Sequence, residues 1–427
     1  MRWTASRFAA AASAVLLSAP AAAEAATLRL PGAAHVRVTG PVLSRGPAEP
    51  QPAGDFNGDG LGDVIVGAPE ADPLGRQNAG SAFVVFGRRD RATVDLDALG
   101  AAGLRIDGRP PVVPLEDEGG TVGEALGTSV SSVGDVNGDG LDDVAIGAVA
   151  ASVDEQRIMA GSVYVVYGRR EPGALDLAAL GGGGFRIDGP RRLDVFAQRI
   201  AGLPGRAPAL AIGAEDRIHL VPLDAAPGSV VDLAAPLPGS HLVTGYDRGD
   251  FNPFYAGLKT LRRLAPAGDV DGDGHGDLIV GMGETDVEGV EPDESSYESS
   301  AFLIPGGAPA GLPGVGPRGL RIDGVGGERF PATVSVGDAV ADERPDVLVG
   351  VVRPRERFVG EAQPATVVSG SRRGRIDVAG RGRGLFRLRG RSGSTVAGPG
   401  DVDRDGSGDI ALGQPERGGR AAGVVGV

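Results

Sequence analysis

The stretch Asp55-Phe56-Asn57-Gly58-Asp59-Gly60-Leu61-Gly62-Asp63, followed by the apolar run Val64-Ile65-Val66-Gly67, decides how this chain is interpreted. Its oxygen-bearing side chains stand at positions 1, 3, 5 and 9, and the glycine at position 6 permits the tight turn that folds them around one point. Position 7 can add its backbone carbonyl. Such hard oxygen ligands suit Ca²⁺ better than zinc or copper. The stretch therefore predicts a calcium loop.

The pattern recurs in one register at 55–63, 135–143, 269–277 and 401–409. An EF-hand loop begins in the same way but needs a glutamate at position 12 and an exiting helix, whereas each of these loops runs into an apolar β-rich stretch. We therefore expect each loop to lie inside a β-hairpin. The predicted calcium ligands are Asp55, Asn57, Asp59, Leu61, Asp63, Asp135, Asn137, Asp139, Leu141, Asp143, Asp269, Asp271, Asp273, His275, Asp277, Asp401, Asp403, Asp405, Ser407 and Asp409.

Two strand signatures recur six times each between the loops. Short strands that end in glycine lie at 36–40, 104–108, 185–189, 241–245, 320–324 and 386–390. Apolar strands that follow the loops lie at 83–86, 164–167, 218–221, 301–304, 366–368 and 424–427. Six strands of each type with only four complete loops indicate six repeat units, of which two have lost metal ligands.

The two incomplete units differ in what remains. Unit five keeps Asp338, Asp342 and Asp346 but has Val340 at position 3, which leaves at most a weak site. Unit three aligns Ala201, Leu203 and Gly205 with positions 1, 3 and 5, and we expect it to bind no metal. The loops of the six units thus start near residues 55, 135, 201, 269, 338 and 401.

A period of about 70 residues with several short strands and no helical periodicity is typical of β-propeller blades, each too small to bury its own core. We predict an all-β chain in which residues 26–427 form one propeller domain of six blades, with seven as the alternative. The chain starts with one strand type and ends with the other. We therefore expect 36–39 to pair with 424–427 and close the ring.

Composition limits the classes of function. The chain has 427 residues, 73 of them glycine and 32 proline, and no cysteine, which excludes disulfides and thiol chemistry. Much of the net charge of −14 lies in the loop aspartates, so the acidity argues against nucleic acid as a partner.

Residues 1–25 have the basic start, short apolar run and small-residue end of a secretory signal, and no later segment is long and apolar enough to span a membrane.

The repeat resembles the FG-GAP family, whose repeats form the N-terminal propeller of integrin α subunits. Its Gly-Ala-Pro half is intact at 67–69 and eroded at 147–149, 213–215 and 413–415. Its Phe-Gly half is degenerate, as Leu126-Gly127 and Phe330-Pro331. The resemblance implies a calcium-stabilised propeller. We expect a secreted monomer, retained at the cell surface or released, that binds a protein or glycan ligand there and serves in adhesion.

An enzyme is the alternative, namely a secreted hydrolase or lyase that acts on an envelope polysaccharide or phospholipid. No G-x-S-x-G, H-E-x-x-H or P-loop motif occurs, and the four histidines are scattered, so no catalytic residue and no organic cofactor is predicted. Two other motifs are of low specificity: the tripeptide Arg248-Gly249-Asp250, and the arginine-rich segment 372–391, which could bind a polyanion.

Overall fold

The structure is a computed structural model of the chain. The residues that it describes divide into two compact units, one within 1–200 and 224–238 and the other within 201–223 and 239–427. The described residues are 26–29, 35–39, 50–90, 92–113, 116–117, 120–121, 123–194, 196–214, 217–243, 259–284, 300–306, 319–323, 329–335, 338–339, 344–352, 363–377, 385–392, 395–400 and 409–413.

Short strands make up nearly all of the regular structure. In chain order they are β1 Ala26–Arg29, β2 His35–Thr39, β3 Gln51–Gly54, β4 Asp63–Ala68, β5 Ser81–Val85, β6 Thr93–Asp95, β7 Gly103–Asp107, β8 Glu116–Asp117, β9 Gly120–Thr121, β10 Leu126–Gly134, β11 Asp143–Ala148, β12 Ser162–Val166, β13 Gly173–Asp176, β14 Gly184–Asp188, β15 Arg199–Leu203, β16 Ala209–Gly213, β17 Ile218–Pro222, β18 Val230–Asp232, β19 His241–Val243, β20 Lys259–Gly268, β21 Asp277–Glu284, β22 Ser300–Ile304, β23 Leu320–Asp323, β24 Arg329–Ser335, β25 Val347–Val352, β26 Gln363–Val368, β27 Gly374–Asp377, β28 Leu385–Ser392, β29 Thr395–Gly400 and β30 Asp409–Gly413.

Helical structure within the described residues is limited to single 3₁₀ turns. They lie at Pro73–Gly75, Leu96–Ala98, Gly100–Ala102, Leu177–Ala179 and Gly181–Gly183. No helix in this part of the chain has the length and apolar character needed to cross a membrane. The predicted all-β class is confirmed.

The repeating element is an antiparallel meander of four strands. It occurs as β3-β4-β5-β7, β10-β11-β12-β14, β15-β16-β17-β19, β20-β21-β22-β23 and β24-β25-β26-β28, with β29-β30 as the first hairpin of another. Both strand signatures of the sequence are found in these sheets, the apolar one as the third strand and the glycine-ended one as the fourth. Sheets of this kind are consistent with the blades of an FG-GAP β-propeller.

A fifth strand joins several of these sheets from the following repeat. β13 pairs in parallel with β7, β18 with β14, and β27 with β23. β6 joins β2 in the same way, while β1 pairs antiparallel with the other edge of β2. The structure therefore places β1 on the edge that the sequence analysis assigns to 424–427. That C-terminal segment itself lies outside the described residues.

The core lies between consecutive sheets. One cluster of buried side chains joins Ile65 and Val84 of the first meander to Val144 and Ile146 of the second. Two further clusters join the third meander to the fourth and the fourth to the fifth. In the first two meanders the second strand, β4 or β11, is buried along its whole length, because it has a neighbouring strand on each edge and packed side chains on each face. No single meander could bury this much apolar surface alone.

Candidate metal centres

The predicted calcium loops join the first two strands of their meanders. Loop 55–63 joins β3 to β4, loop 135–143 joins β10 to β11, and loop 269–277 joins β20 to β21. The glycine before position 1 pairs with the aspartate at position 9, as Gly54 does with Asp63. Gly54 has φ = 74°, a left-handed conformation that favours glycine at the point where the chain leaves the strand. The expected hairpin placement is confirmed.

The fourth loop also lies between two paired strands. Gly400 pairs with Asp409 between β29 and β30, as in the first three loops. The rest of this predicted site, Asp401, Asp403, Asp405 and Ser407, lies outside the described residues.

The first loop shows how the chain gathers its oxygens. The Asp55 carboxylate accepts hydrogen bonds from the backbone N–H groups of Asp59 and Gly60, both at 2.9 Å. Asn57 Oδ1 accepts a second bond from the same Asp59 N–H, also at 2.9 Å. The position-7 N–H groups donate to the position-5 carboxylates in all three described loops, from Leu61 to Asp59, Leu141 to Asp139 and His275 to Asp273. Positions 1, 3 and 5 therefore turn toward one centre.

The third loop carries the densest charge. Carboxylate oxygens of Asp269, Asp271 and Asp273 lie within 4.8 Å of one another. The ring Nδ1 of His275 lies 3.2 Å from Asp273 Oδ1. Three carboxylates this close repel one another unless a cation lies among them. A set made only of carboxylate oxygens has the hardness that Ca²⁺ requires.

The aspartates at position 9, namely Asp63, Asp143 and Asp277, are buried beneath their loops. In each of them Oδ2 accepts the N–H of position 2, and Oδ1 accepts the N–H of the glycine that follows the third strand, as Phe56 and Gly87 donate to Asp63 at 2.9 and 2.7 Å. Asp277 is not part of the group formed by the other three aspartates of its loop. The position-9 carboxylate thus connects the loop to the sheet through hydrogen bonds. The lone pairs of its oxygens that remain free could coordinate a metal ion.

Burial raises the pKa of these three carboxyls. The pKa of Asp63 rises to about 7, and those of Asp143 and Asp277 rise to about 6, because desolvation outweighs the backbone hydrogen bonds that favour the ionised form. The neighbouring loop aspartates raise these pKa values further by repulsion. A cation in the loop would reverse this effect and favour the charged carboxylates.

The two incomplete units keep different parts of the arrangement. In unit five, Asp346 is buried, and it accepts N–H bonds from Ala339 and Gly370 as the complete units do at position 9. In unit three, Ala201 and Leu203 belong to β15 and are buried in the core, so they offer no side-chain oxygen. Asp342 of unit five lies outside the described residues.

Sequence reasoning missed a buried polar pair that recurs in three meanders. Hydroxyls at the start of the third strand donate to buried aspartates at the end of the fourth, from Ser81 to Asp107, Ser162 to Asp188 and Ser300 to Asp323, at 2.8 to 2.9 Å. An arginine two residues before each aspartate completes an ion pair. The repeated Arg-Ile-Asp of the glycine-ended strands was the available signal.

A second buried group, in the second meander, was also missed. Glu124 accepts hydrogen bonds from the Arg109 guanidinium at 2.6 Å and from the Tyr164 hydroxyl at 2.9 Å. Burial raises the pKa of Glu124 and of Tyr164, while Arg109 pulls both pKa values down. No local pattern marks this group, because its members lie 15 and 40 residues apart in the chain.

The glycine of the short sequence Gly-Ala-Pro has a structural cause in the first meander. A β-carbon built on Gly67 would stand 1.9 Å from the carbonyl oxygen of Gly127 in the next repeat. A β-carbon built on Gly147 would likewise stand 2.5 Å from the carbonyl oxygen of Ala197. Ala197 follows Phe196, so Phe196-Ala197 is the Phe-Gly position of unit three, which the sequence analysis did not find. The two halves of the motif therefore meet across neighbouring repeats.

Comparison with known proteins gives the same assignment. The FG-GAP repeat family matches residues 52–85 and 126–166, which hold the first three strands of the first two meanders. Phosphatidylinositol-glycan-specific phospholipase D of Rattus norvegicus is 36% identical over 118 residues, which is 27% of this chain and 12% of that protein. The human protein of the same name is 34% identical over 120 residues, or 28% of this chain and 13% of its own length.

An integrin subunit is similar over a stretch of the same size. Integrin alpha pat-2 of Caenorhabditis elegans is 32% identical over 125 residues, 28% of this chain and 8% of that protein. The matches span no more than 13% of the length of these three relatives and not the whole of any of them. The chain is an all-β protein that contains integrin-like FG-GAP repeats.

Proposed function

We propose that the chain is a secreted, calcium-binding β-propeller that acts as a ligand-binding module in adhesion at the cell surface. The repeats at 26–427 form one propeller domain in this proposal, after removal of residues 1–25. The observation that carries it is the convergence of Asp269, Asp271 and Asp273 within 4.8 Å inside a hairpin loop. The similarity to an integrin subunit, 32% identical over 125 residues, supports the binding role.

The residues present fit calcium. The first and second loops offer two carboxylates and one amide oxygen from positions 1, 3 and 5, and the third offers three carboxylates. Backbone carbonyls at position 7 and the remaining lone pairs of position 9 complete the available oxygens. Bound calcium would hold each hairpin in one shape and would neutralise part of the net charge of −14. The loops would then present a rigid surface to a protein or glycan ligand.

Calcium binding is tested by equilibrium dialysis of the purified protein. The unmodified chain should bind about four calcium ions, one for each complete loop. Asp139→Ala and Asp273→Ala should each remove one, because position 5 lies at the centre of its ligand set. Gly205→Asp in unit three is the matched control and should add none, since Ala201 and Leu203 offer no side-chain oxygen. A stoichiometry of zero or one would contradict the proposal.

Ligand binding is tested by screening the protein against glycans and envelope fractions, with calcium and with a chelator. A binding module should retain its ligand after alanine substitution of each histidine and should lose affinity in chelator. Equal ligand binding with calcium and with chelator would show that ligand binding does not depend on the calcium loops.

The second candidate function is a secreted hydrolase that acts on a phospholipid or envelope polysaccharide. The phospholipase D relatives favour it, although their similarity covers 27 to 28% of this chain. Proton transfer in such an enzyme needs a titratable group within reach of the substrate. Turnover by pure protein, abolished by one substitution outside the calcium loops with an unchanged melting temperature, would establish the enzyme over the binding module.

A further inference from the structure

The first two repeats place the same short segment beside a metal loop. Phe86-Gly87-Arg88-Arg89-Asp90 in one corresponds to Tyr167-Gly168-Arg169-Arg170-Glu171 in the other. The glycine N–H donates to the buried position-9 aspartate in both, at 2.7 Å to Asp63 and 2.8 Å to Asp143. The arginine that follows the glycine is therefore held at the same place relative to its loop in both repeats.

The two equivalent arginines have different partners. Arg88 forms a bidentate pair with Asp90, with both nitrogen-to-oxygen distances at 2.8 Å. Among the described residues, the Arg169 guanidinium makes no hydrogen bond or ion pair, and its Nε is buried without a partner. Glu171, at the position of Asp90, acts on Arg169 only through space, and desolvation lowers the pKa of Arg169. A half-buried guanidinium without a hydrogen-bonded anion is costly, which favours an anion from outside.

Arg169 lines a cavity of about 360 Å³. Asn137 and Asp139, at positions 3 and 5 of the second loop, form part of its wall. Glu171 and the buried ring of Tyr167 form another part. This volume lies at the small end of ligand pockets and suits one sugar-sized group. The cavity thus combines an unpaired cation, oxygen acceptors and an apolar ring at one edge of a metal loop.

We propose that this cavity binds a hexuronic acid unit of an acidic glycan, with its carboxylate on Arg169. This inference rests on the proposed function as a ligand-binding module and names the ligand class. A guanidinium matches a carboxylate in bidentate geometry. Tyr167 and Pro172 offer apolar surface to the C–H face of the sugar, and Glu171 offers oxygens to its hydroxyls.

The charges around the cavity make the binding depend on calcium. Asp139 and Glu171 are both acidic and would repel a uronate, and Arg169 alone offsets only one of them. Calcium in the second loop would add two positive charges beside Asp139, so filling the loop should strengthen the attraction of the cavity for an anion.

Titration calorimetry of the full chain in millimolar calcium tests the site with D-glucuronate and with D-glucose as the uncharged counterpart. Glucuronate should bind saturably and glucose should not, a comparison that needs no variant. Arg169→Gln should weaken glucuronate binding by about tenfold or more, because it removes a charge-assisted bidentate contact. Arg88→Gln, the matched control at the equivalent position, should change it by less than about twofold, because Asp90 already occupies that guanidinium.

Calcium stoichiometry measured on the same samples separates this inference from the proposed function. Absence of saturable glucuronate binding with all calcium sites filled would overturn the uronate site and leave calcium binding intact. Equal binding of N-acetylaspartate or inorganic sulfate would overturn the assignment to a sugar, since it would show recognition of charge alone. An equal loss in Arg169→Gln and Arg88→Gln would also overturn it.

Discussion

Arg76 and Asp176 form a bidentate ion pair between two repeats, with both nitrogen-to-oxygen distances at 2.7 Å and 100 residues of chain between them. Arg76 lies in the connection after β4. Asp176 is the last residue of β13, a strand of the second repeat that pairs with the sheet of the first. The pair recurs one repeat later as Arg157 with Asp232 at the end of β18. In these two cases, an arginine of the receiving repeat forms an ion pair with the last residue of the added strand.

We expect Arg76→Ala and Asp176→Ala each to lower the free energy of unfolding, with a coupling energy of about 1 kcal/mol in the double-mutant cycle. The side chains are 21% and 31% exposed, so water screens the pair only in part. The cycle for Arg88 and Asp90, whose side chains are 33% and 60% exposed, should give a clearly smaller coupling energy, because water screens that pair more strongly. Equal coupling energies in both cycles would contradict a stabilising role of the Arg76–Asp176 pair between the two repeats.

Glycine at position 67 is required by the contact between repeats. Gly67→Ala should destabilise the chain by about 2 to 4 kcal/mol, because its β-carbon would overlap the carbonyl oxygen of Gly127, and backbone on both sides would have to move. Gly182→Ala is the control. Its β-carbon would meet nothing within 4 Å, and we expect a change within about 0.5 kcal/mol by urea denaturation. A tolerated Gly67→Ala would mean that the two repeats are farther apart than the structure shows.

Calcium should stabilise the fold. Extracellular calcium modules bind with dissociation constants of about 0.1 to 1 mM, and a tenfold excess then contributes about 1.4 kcal/mol for each site. Four sites would supply about 5 kcal/mol, enough to raise the melting temperature by several degrees. Differential scanning calorimetry in calcium and in chelator measures the shift, and Asp273→Ala should reduce it by about a quarter. An identical melting temperature in both buffers would exclude a stabilising role.

The pH dependence of stability should change with calcium. The folded pKa of Asp63 is about 7, and those of Asp143 and Asp277 are about 6, all above the ordinary value of 3.8. The folded chain then binds more protons than the unfolded chain, so in chelator the free energy of unfolding should fall as the pH rises from about 4 to about 7. Calcium favours the ionised carboxylates, so this fall should disappear in its presence.

Urea denaturation at several pH values, with calcium and with chelator, measures both slopes. Asp63→Asn is the control variant, because it cannot ionise and should remove its own share of the fall in chelator. Parallel curves with and without calcium would show that these carboxylates do not sense the metal.

The hairpin loops and the all-β class could be predicted from the sequence because their determinants are local. Nine consecutive residues contain the turn glycines and the oxygens of a loop, and the apolar stretch after each loop forms the second strand of a meander. The position-9 aspartates were identified by the same pattern, but their burial was not, since the glycine that donates to Asp63 follows it by 24 residues.

What the sequence alone determined is therefore each hairpin, the positions of its predicted metal ligands and the repetition of the unit. The tertiary structure decided which repeats are in contact and through which residues. These contacts are the parallel pairing of β13 with β7, the close approach of Gly67 to Gly127, and the pairing of β2 with β1. It also decided that Arg88 has a carboxylate partner while Arg169, in an almost identical segment, lines a cavity. These relationships depend on packing between segments far apart in the chain, and no local spacing encodes them.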